Sequence, residues 1–265
     1  VTDAYYNIDI DDRIVLSSNF TGTPVINLLA TQGITGIGGG RYFTNAVDTE
    51  TKGFDVSARY TLKTDNLGKF TFTANYNNNE TKAKRVKQAN ATLAAITTTP
   101  LFDLTETIRL ERGQPRDAMN FSVVWDVEKW SVMLRETRFG EVSGVPFTSA
   151  TQAQIDALTP GYDVEFAPAV PGTVGGTTTN RQVIQTFGAK WLMDIDVSYK
   201  VNKNVTVSAG INNVLDVYPD QNIRSKIVNS TVFNGSDNVG IFPYSSISPF
   251  GFNGLSFYGK VAFRF

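Results

Sequence analysis

What most constrains this chain is a period of two that recurs along it without one long apolar run. Ala4, Tyr6, Ile8 and Ile10 alternate with Asp3, Tyr5, Asn7 and Asp9, and Phe54, Val56, Ala58, Tyr60 and Leu62 with Asp55, Ser57, Arg59 and Thr61. Phe70, Phe72, Ala74 and Tyr76 follow the same rule, as do Met119, Phe121, Val123 and Trp125, then Trp130, Val132 and Leu134. Trp191, Met193, Ile195, Val197 and Tyr199 oppose Leu192, Asp194, Asp196, Ser198 and Lys200, and Val205, Val207, Ala209 and Ile211 oppose Thr206, Ser208, Gly210 and Asn212. Successive side chains of a strand point to opposite faces, so each segment reads as a strand with one oily face and one polar face. No stretch approaches the roughly 18 apolar residues that a membrane helix needs, so only strands of this chain can cross a bilayer.

The strands are expected near 2–16, 42–62, 69–79, 117–126, 129–140, 189–201, 204–214 and 254–265. Short turns, T-D-N-L-G, D-V-E-K and V-N-K-N, alternate with long connections near 18–41, 80–115, 141–187 and 215–252. That asymmetry matches a membrane barrel with short periplasmic turns and long extracellular loops, and a soluble sandwich has no reason to sort its loops this way. Tyr60, Phe70, Trp125, Trp130, Tyr199 and Phe263 fall near a short turn or the terminus and would form one interfacial girdle; Tyr76 and Trp191 would belong to the opposite one. Glu136 and Arg138 fall on the oily parity, so the strand there has left the membrane or carries a bulge; emergence is the preferred reading. The fold class expected is all-β, a transmembrane antiparallel β-barrel. Thr151–Leu158 is expected to make a helical turn or two. The G-I-G-G-G-R stretch fits no phosphate-binding pattern and reads as loop.

Composition removes most chemistry. The chain has no His and no Cys, which excludes Ser-His-Asp, Cys-His and thiolate or imidazole metal sites. A net charge of -1 with no basic block gives nucleic acid no electrostatic footing. Neither cofactor nor metal is expected. Asp194 and Asp196, two apart on one face, have a spacing that suits paired carboxylates; the competing reading is a hydrophilic wall paired with Arg59, Lys200 or Arg264, and no enzyme is expected.

The final segment, N-G-L-S-F-Y-G-K-V-A-F-R-F, alternates to the last residue. It resembles the C-terminal signature of bacterial outer-membrane proteins, which implies that Phe257, Val261, Phe263 and Phe265 are read by the barrel-assembly machinery. Further segments resemble the TonB-dependent outer-membrane receptors: Y-Y-N-I-D-I-D-D-R-I at 5–14; F-T-N-A-V-D-T-E-T-K-G-F-D-V at 43–56, with Asn45, Gly53 and Asp55; E-R-G-Q-P-R-D at 111–117; and F-G-A-K-W at 187–191. The strongest match is A-G-I-N-N-V-L-D-V-Y-P-D at 209–220, similar to the family's penultimate strand through Asn212, Asn213, Asp216 and Tyr218. The resemblance implies a barrel of about 22 strands around a plug, of which this chain would supply about the last eight, with plug and TonB box absent. The chain opens at Val1 without an initiator Met or signal-peptide pattern and is expected to be a mature or truncated product.

The activity implied by the same resemblance is TonB-dependent uptake of a scarce nutrient, of the iron-siderophore, cobalamin or saccharide class, across the bacterial outer membrane. The expected partners are outer-membrane lipid and lipopolysaccharide, the TonB complex through a plug domain not in this chain, the barrel-assembly machinery, and a small nutrient ligand. The alternative is a self-contained eight-stranded barrel with a structural or adhesion role, which a sheet with unpaired first and last strands would reject. Candidate ligand contacts are Lys82, Lys84 and Arg85, with Lys87 beside them, and the loop aromatics Tyr244, Phe250 and Phe252. For the first set a solvated loop is the competing reading, for the second packing within the loop. Arg59, Asp194, Asp196, Lys200, Lys260 and Arg264 are expected to face the lumen.

Overall fold

The computed structural model describes residues 1–158, 160–167, 181–225 and 243–265. In chain order the elements are β1 (Thr2–Leu16), β2 (Phe20–Thr21), α1 (Thr23–Thr31), β3 (Gly39–Gly40), β4 (Phe43–Thr64), β5 (Gly68–Val86), α2 (Ala91–Ala94), α3 (Leu104–Arg112), β6 (Asp117–Val127) and β7 (Trp130–Phe139). They continue with β8 (Val142–Ala150), α4 (Gln152–Leu158), β9 (Asp163–Phe166), β10 (Arg181–Phe187), β11 (Lys190–Lys200), β12 (Val205–Asn212) and β13 (Ser256–Phe263). One eight-stranded antiparallel sheet runs β1-β4-β5-β6-β7-β11-β12-β13. Its edges are β1 and β13, which do not pair with each other, so these strands do not close an eight-stranded barrel by themselves.

Two compact units make up the chain. The first comprises Val1–Tyr5, Gly53–Asn79 and Gln114–Phe265. Its strands follow the period of two, and its tight turns are set by local chemistry. Leu67 N–H donates to Thr64 Oγ1 (3.1 Å), and Thr64 Oγ1 donates to the Gly68 carbonyl (2.9 Å). Gly68 has φ +79°, and a Cβ there would lie 2.2 Å from the Asp126 carbonyl oxygen, so glycine is required. Asn202 Oδ1 accepts from the N–H groups of Asn204 (2.8 Å) and Val205 (3.0 Å), an Asx turn leading into β12.

The apolar face of the sheet stays uncovered. Phe121, Trp125, Trp130, Leu134, Val207, Phe257, Val261 and Phe263 are all exposed. A water-soluble sheet would bury such a face, whereas a membrane barrel turns it to lipid. At the short-turn end Phe70 stacks on Trp125 (centroids 5.9 Å apart, 4° between planes), Trp130 meets Tyr199 at 4.6 Å, and Trp125 Nε1 donates to the Leu67 carbonyl. Pairing of β7 with both neighbours is continuous from Trp130 to Phe139. A bulge therefore does not explain Glu136 and Arg138 on the oily parity. Buried apolar residues of this unit lie instead about the small sheet β8-β10-β9, where Ala150, Ile155 and Val183 pack with Phe147 and Val164.

The second unit comprises Tyr6–Lys52 and Glu80–Gly113. Here the structure departs from the expectation of open loops. β5 runs on to Val86 rather than stopping near 79: its pairing with β6 ends at Asn78↔Asp117, but β4 reaches back to Phe43, and Lys87 N–H still donates to the Ala46 carbonyl (2.8 Å). The remaining connection carries α2 and α3, and the stretch 18–41 carries α1. Asp103 caps α3, accepting from Glu106 N–H at 3.0 Å, and Asn90 caps α2, accepting from Leu93 N–H at 2.9 Å. Phe20, Val25, Ala46, Val47, Leu101 and Phe102 form the buried core; burying each of the larger side chains contributes about 1.5–3 kcal/mol. Ser17 and Ser18 are fully buried and join three segments: Ser17 N–H donates to the Tyr42 carbonyl, and Ser18 N–H to that of Leu101.

Candidate functional site

The polar face of the first unit carries groups of hydrogen-bonded side chains that bridge neighbouring strands. Asp194 accepts from Arg135 through Nε (3.0 Å) and Nη2 (2.7 Å), and from Asn213 N–H (2.8 Å). Asp196 accepts from the Tyr258 hydroxyl (2.7 Å) and the Ser198 hydroxyl (3.0 Å), and Ser198 also bonds Ser208. Asp55 accepts from Asn77, Asn75 from Ser57, and Asn120 donates to Thr137. Both aspartates singled out as possible paired catalysts thus have dedicated donors, the arrangement of a structural wall. Lys200, Lys260, Arg59 and Arg264 share the parity of this face and are exposed.

In the second unit the candidate cations meet carboxylates. Lys84 Nζ lies 2.8 Å from Glu50, Arg85 Nε 2.7 Å from Asp48, Lys82 Nζ 3.1 Å from Glu80, and Lys87 Nζ 2.5 Å from Asp12. Arg85 also comes within 3.8 Å of Asp12. Hydrogen bonds from Asp12 N–H and Arg85 hold the Asp48 carboxyl below its usual value, and those from Lys84 and Lys52 do the same for Glu50. The result is a charge zipper of both signs, with its cations committed to neighbours. Deeper in this unit Glu106, almost fully buried, pairs with Arg41 and accepts from Arg109 Nη1 at 3.0 and 2.8 Å. Sequence reasoning passes over this group, although Asp103 followed three residues later by Glu106 has the spacing of a capping box.

The candidate aromatics pack on one another. Tyr244 stacks between Tyr218 (5.8 Å) and Phe252 (5.8 Å), and Phe250 stacks on Phe139 (5.5 Å). The Asp216 carboxylate beside Tyr218 raises its phenol above the usual value. Gln185, 1% exposed, donates to the Gln221 carbonyl and accepts from Ile223 N–H, both at 2.8 Å, and so fastens β10 to the segment after Asp220. Asp220 takes Lys190 Nζ and Gly188 N–H at 2.6 Å each. Phe257, Val261, Phe263 and Phe265 are exposed at the free edge strand. Among the described residues no group of three or more acidic, His or Cys side chains is placed to hold a metal ion.

An open sheet with an exposed apolar face, a hydrogen-bonded polar face and alternating short and long connections is the wall of a transmembrane β-barrel. The chain belongs to the TonB-dependent receptor family: the family described as TonB dependent receptor-like, beta-barrel, matches residues 1–214. No curated protein matches it. Among solved structures, the copper transporter OprC superposes with a TM-score of 0.51 at 16% identity, over 99% of this chain and 28% of that one. The FrpB iron transporter of Neisseria meningitidis gives a TM-score of 0.45 at 12% identity, over 82% of this chain and 25% of its own. For the ferripyoverdine receptor of the outer membrane of Pseudomonas aeruginosa the TM-score is 0.42 at 13% identity, over 82% and 21%. The chain therefore spans about a quarter of the length of these proteins.

Proposed function

We propose that this chain supplies barrel wall and extracellular capture loops to a receptor that carries a scarce nutrient across the bacterial outer membrane, driven by the TonB complex. The family match over residues 1–214 carries this reading. The open sheet supports it, since an edge strand such as β13 calls for further strands to complete a barrel of about 22. Coupling to TonB runs through a plug domain outside this chain. In the bilayer Phe121, Trp125, Leu134, Val207 and Val261 face lipid, while Arg59, Asp194, Asp196, Lys200, Lys260 and Arg264 face the lumen. The Tyr218–Tyr244–Phe252 stack stands on the extracellular side, at the level of lipopolysaccharide. Phe257, Val261, Phe263 and Phe265 are the segment that the assembly machinery reads. The cargo is of the iron-siderophore, cobalamin or saccharide class.

The test is uptake. Cells carrying or lacking the complete gene are given labelled ferric siderophores, cobalamin, oligosaccharides or copper, with and without an active TonB complex. Gene-dependent and TonB-dependent accumulation of a ferric siderophore, cobalamin or an oligosaccharide supports the reading; accumulation of copper alone keeps TonB-driven transport and overturns the cargo class. Accumulation that ignores TonB, or no accumulation of any, refutes it.

A further inference from the structure

The strand pair β12–β13 has a register problem that the tightly connected hairpins do not share. β6 and β7 are joined by Glu128 and Lys129 alone, and β11 and β12 by residues 201–204, connections short enough to dictate which residues face each other. Between β12 and β13 lie residues 213–255, which impose nothing of the kind. Alternation does not decide either. A slip of one residue turns every oily side chain to the wrong face, but a slip of two leaves Phe257, Val261 and Phe263 on the face they already occupy. The observed pairing is nevertheless single, from Val205↔Phe263 to Asn212↔Ser256.

Two tyrosines seated on glycines distinguish that register from its neighbours. The first seat joins the end of β12 to the start of β13. Asn213, at φ 53°, donates its N–H to Asp194 on β11; its side chain then donates to the Val217 carbonyl (2.7 Å) and accepts from Val217 N–H (3.0 Å). Asp216, also at φ 53°, donates its N–H to the Asn213 carbonyl (2.9 Å), and its Oδ1 accepts from Leu255 N–H (2.8 Å). The Tyr218 hydroxyl lies over Gly254, where a Cβ would come within 2.2 Å of it. The second seat lies within the ladder. Tyr258 crosses Gly210 to donate to Asp196, and a Cβ on Gly210 would lie 2.4 Å from the ring. Slipped by two, Tyr258 would meet Ser208 or Asn212 instead of the glycine, and Leu255 N–H would lose its acceptor.

We propose that Asn213, Asp216 and Tyr218, with Gly254, Gly210 and Tyr258, form a registration clasp that sets the terminal strand on its neighbour. These are positioning residues, and the N-N-V-L-D-V-Y stretch acts through the backbone of β13 rather than on a ligand. An aromatic ring laid over a strand glycine is a known way of pinning register; Tyr258 on Gly210 is such a seat, anchored on Asp196, and the Tyr218–Gly254 contact ahead of the strand is tied through Asn213 to Asp194.

Residues 1–265 contain no cysteine, so pairs engineered within them report register directly once any cysteine elsewhere in the complete gene product is replaced by serine. In the complete gene product in outer membranes, Ser208→Cys with Lys260→Cys reports the native pairing. Ser208→Cys with Ala262→Cys, and Thr206→Cys with Lys260→Cys, report the two slips. Folding is scored independently by the mobility of unheated samples in SDS gels. In the parent only the native pair cross-links. In Asp216→Ala combined with Gly210→Ala the slipped pairs rise by on the order of tenfold, the expected consequence of losing a charge-assisted hydrogen bond. Asp216→Asn, which keeps an oxygen acceptor, retains the native pattern. Should Asp216→Ala fail to fold while Asp216→Asn folds in register, the acceptor role stands. The proposal falls if the folded double variant cross-links as the parent does, or if Asp216→Asn slips or fails to fold like Asp216→Ala.

Discussion

Lysine placed along the oily face of β13 measures its orientation and depth together. Phe263 pairs with Val205 at the short-turn end, and Phe257 and Val261 share its face. At a rise of about 3.4 Å per residue, Val261 lies about 7 Å along the strand from Phe263 and Phe257 about 20 Å. With a strand tilt of about 45°, these become about 5 Å and about 14 Å across the bilayer. Since the apolar band is about 25 Å tall, Phe257 sits near the midplane and Val261 much closer to the interface. Relative to alanine at the same site, lysine at Phe257 is expected to cost about 2–4 kcal/mol and at Val261 about 1–2 kcal/mol. Ala262→Lys, at the height of Val261 on the opposite face, should cost close to nothing. Urea unfolding of the complete protein in phospholipid vesicles gives these differences from the midpoint at unchanged slope. Equal costs at Phe257 and Val261, or a cost at Ala262 matching that at Val261, would refute the assigned face and depth.

The polar contacts lead to three further expected outcomes. Glu106→Gln removes the carboxylate shared by Arg41 and Arg109; because both guanidinium groups reach water, the cost should be about 1–2 kcal/mol. It should appear as faster tryptic cleavage after Arg41, Arg109 and Arg112, with the gel mobility of the folded barrel unchanged. Asp194→Ala strands Arg135 and the Asn213 N–H; a loss of about 1–3 kcal/mol in the same unfolding assay is expected, and an unshifted midpoint would show the contact to be idle. Asp48 and Glu50 titrate below their ordinary 3.8 and 4.5, so the stability they contribute is fully present above those values and is lost as pH falls through the depressed ones. Hydrogen-exchange protection of Lys82–Lys87 should therefore hold from neutral pH down to about 5 and decline only below about 4. A decline already complete at pH 5 would contradict the pairing.

How far the molecule is legible in its sequence differs from segment to segment. β1 falls at its expected limits, and β6, β7, β11, β12 and β13 within two residues of theirs, because each alternates oily and polar side chains over most of its length. The end of β5 is not legible: beyond Asn79 only Ala83 and Val86 interrupt a polar and charged run, so the period of two vanishes while the strand continues. The second unit leaves only scattered marks, of which the Asp103–Glu106 spacing is one and Pro24 at the start of α1 another. A core built from Phe20, Val47 and Phe102 draws on segments with no shared period. Tyr244 and Phe252 stand out as aromatic residues, but their stacking with Tyr218 depends on how a long connection returns to β12.

Side-chain direction in a strand is a local property of the backbone, and so the sequence alone determined which stretches are strands, which face of each is oily, and, through the motif at 209–220 and the terminal phenylalanine, which family to expect. Tertiary structure decided what local pattern leaves undetermined. It joined Arg41 to Glu106, gave Lys84 and Arg85 their carboxylates, turned two expected loops into a folded unit, and chose one register for β13 among several of equal alternation. Each of those outcomes is a contact between residues far apart in the chain, and a period of two carries no information about which distant residues meet.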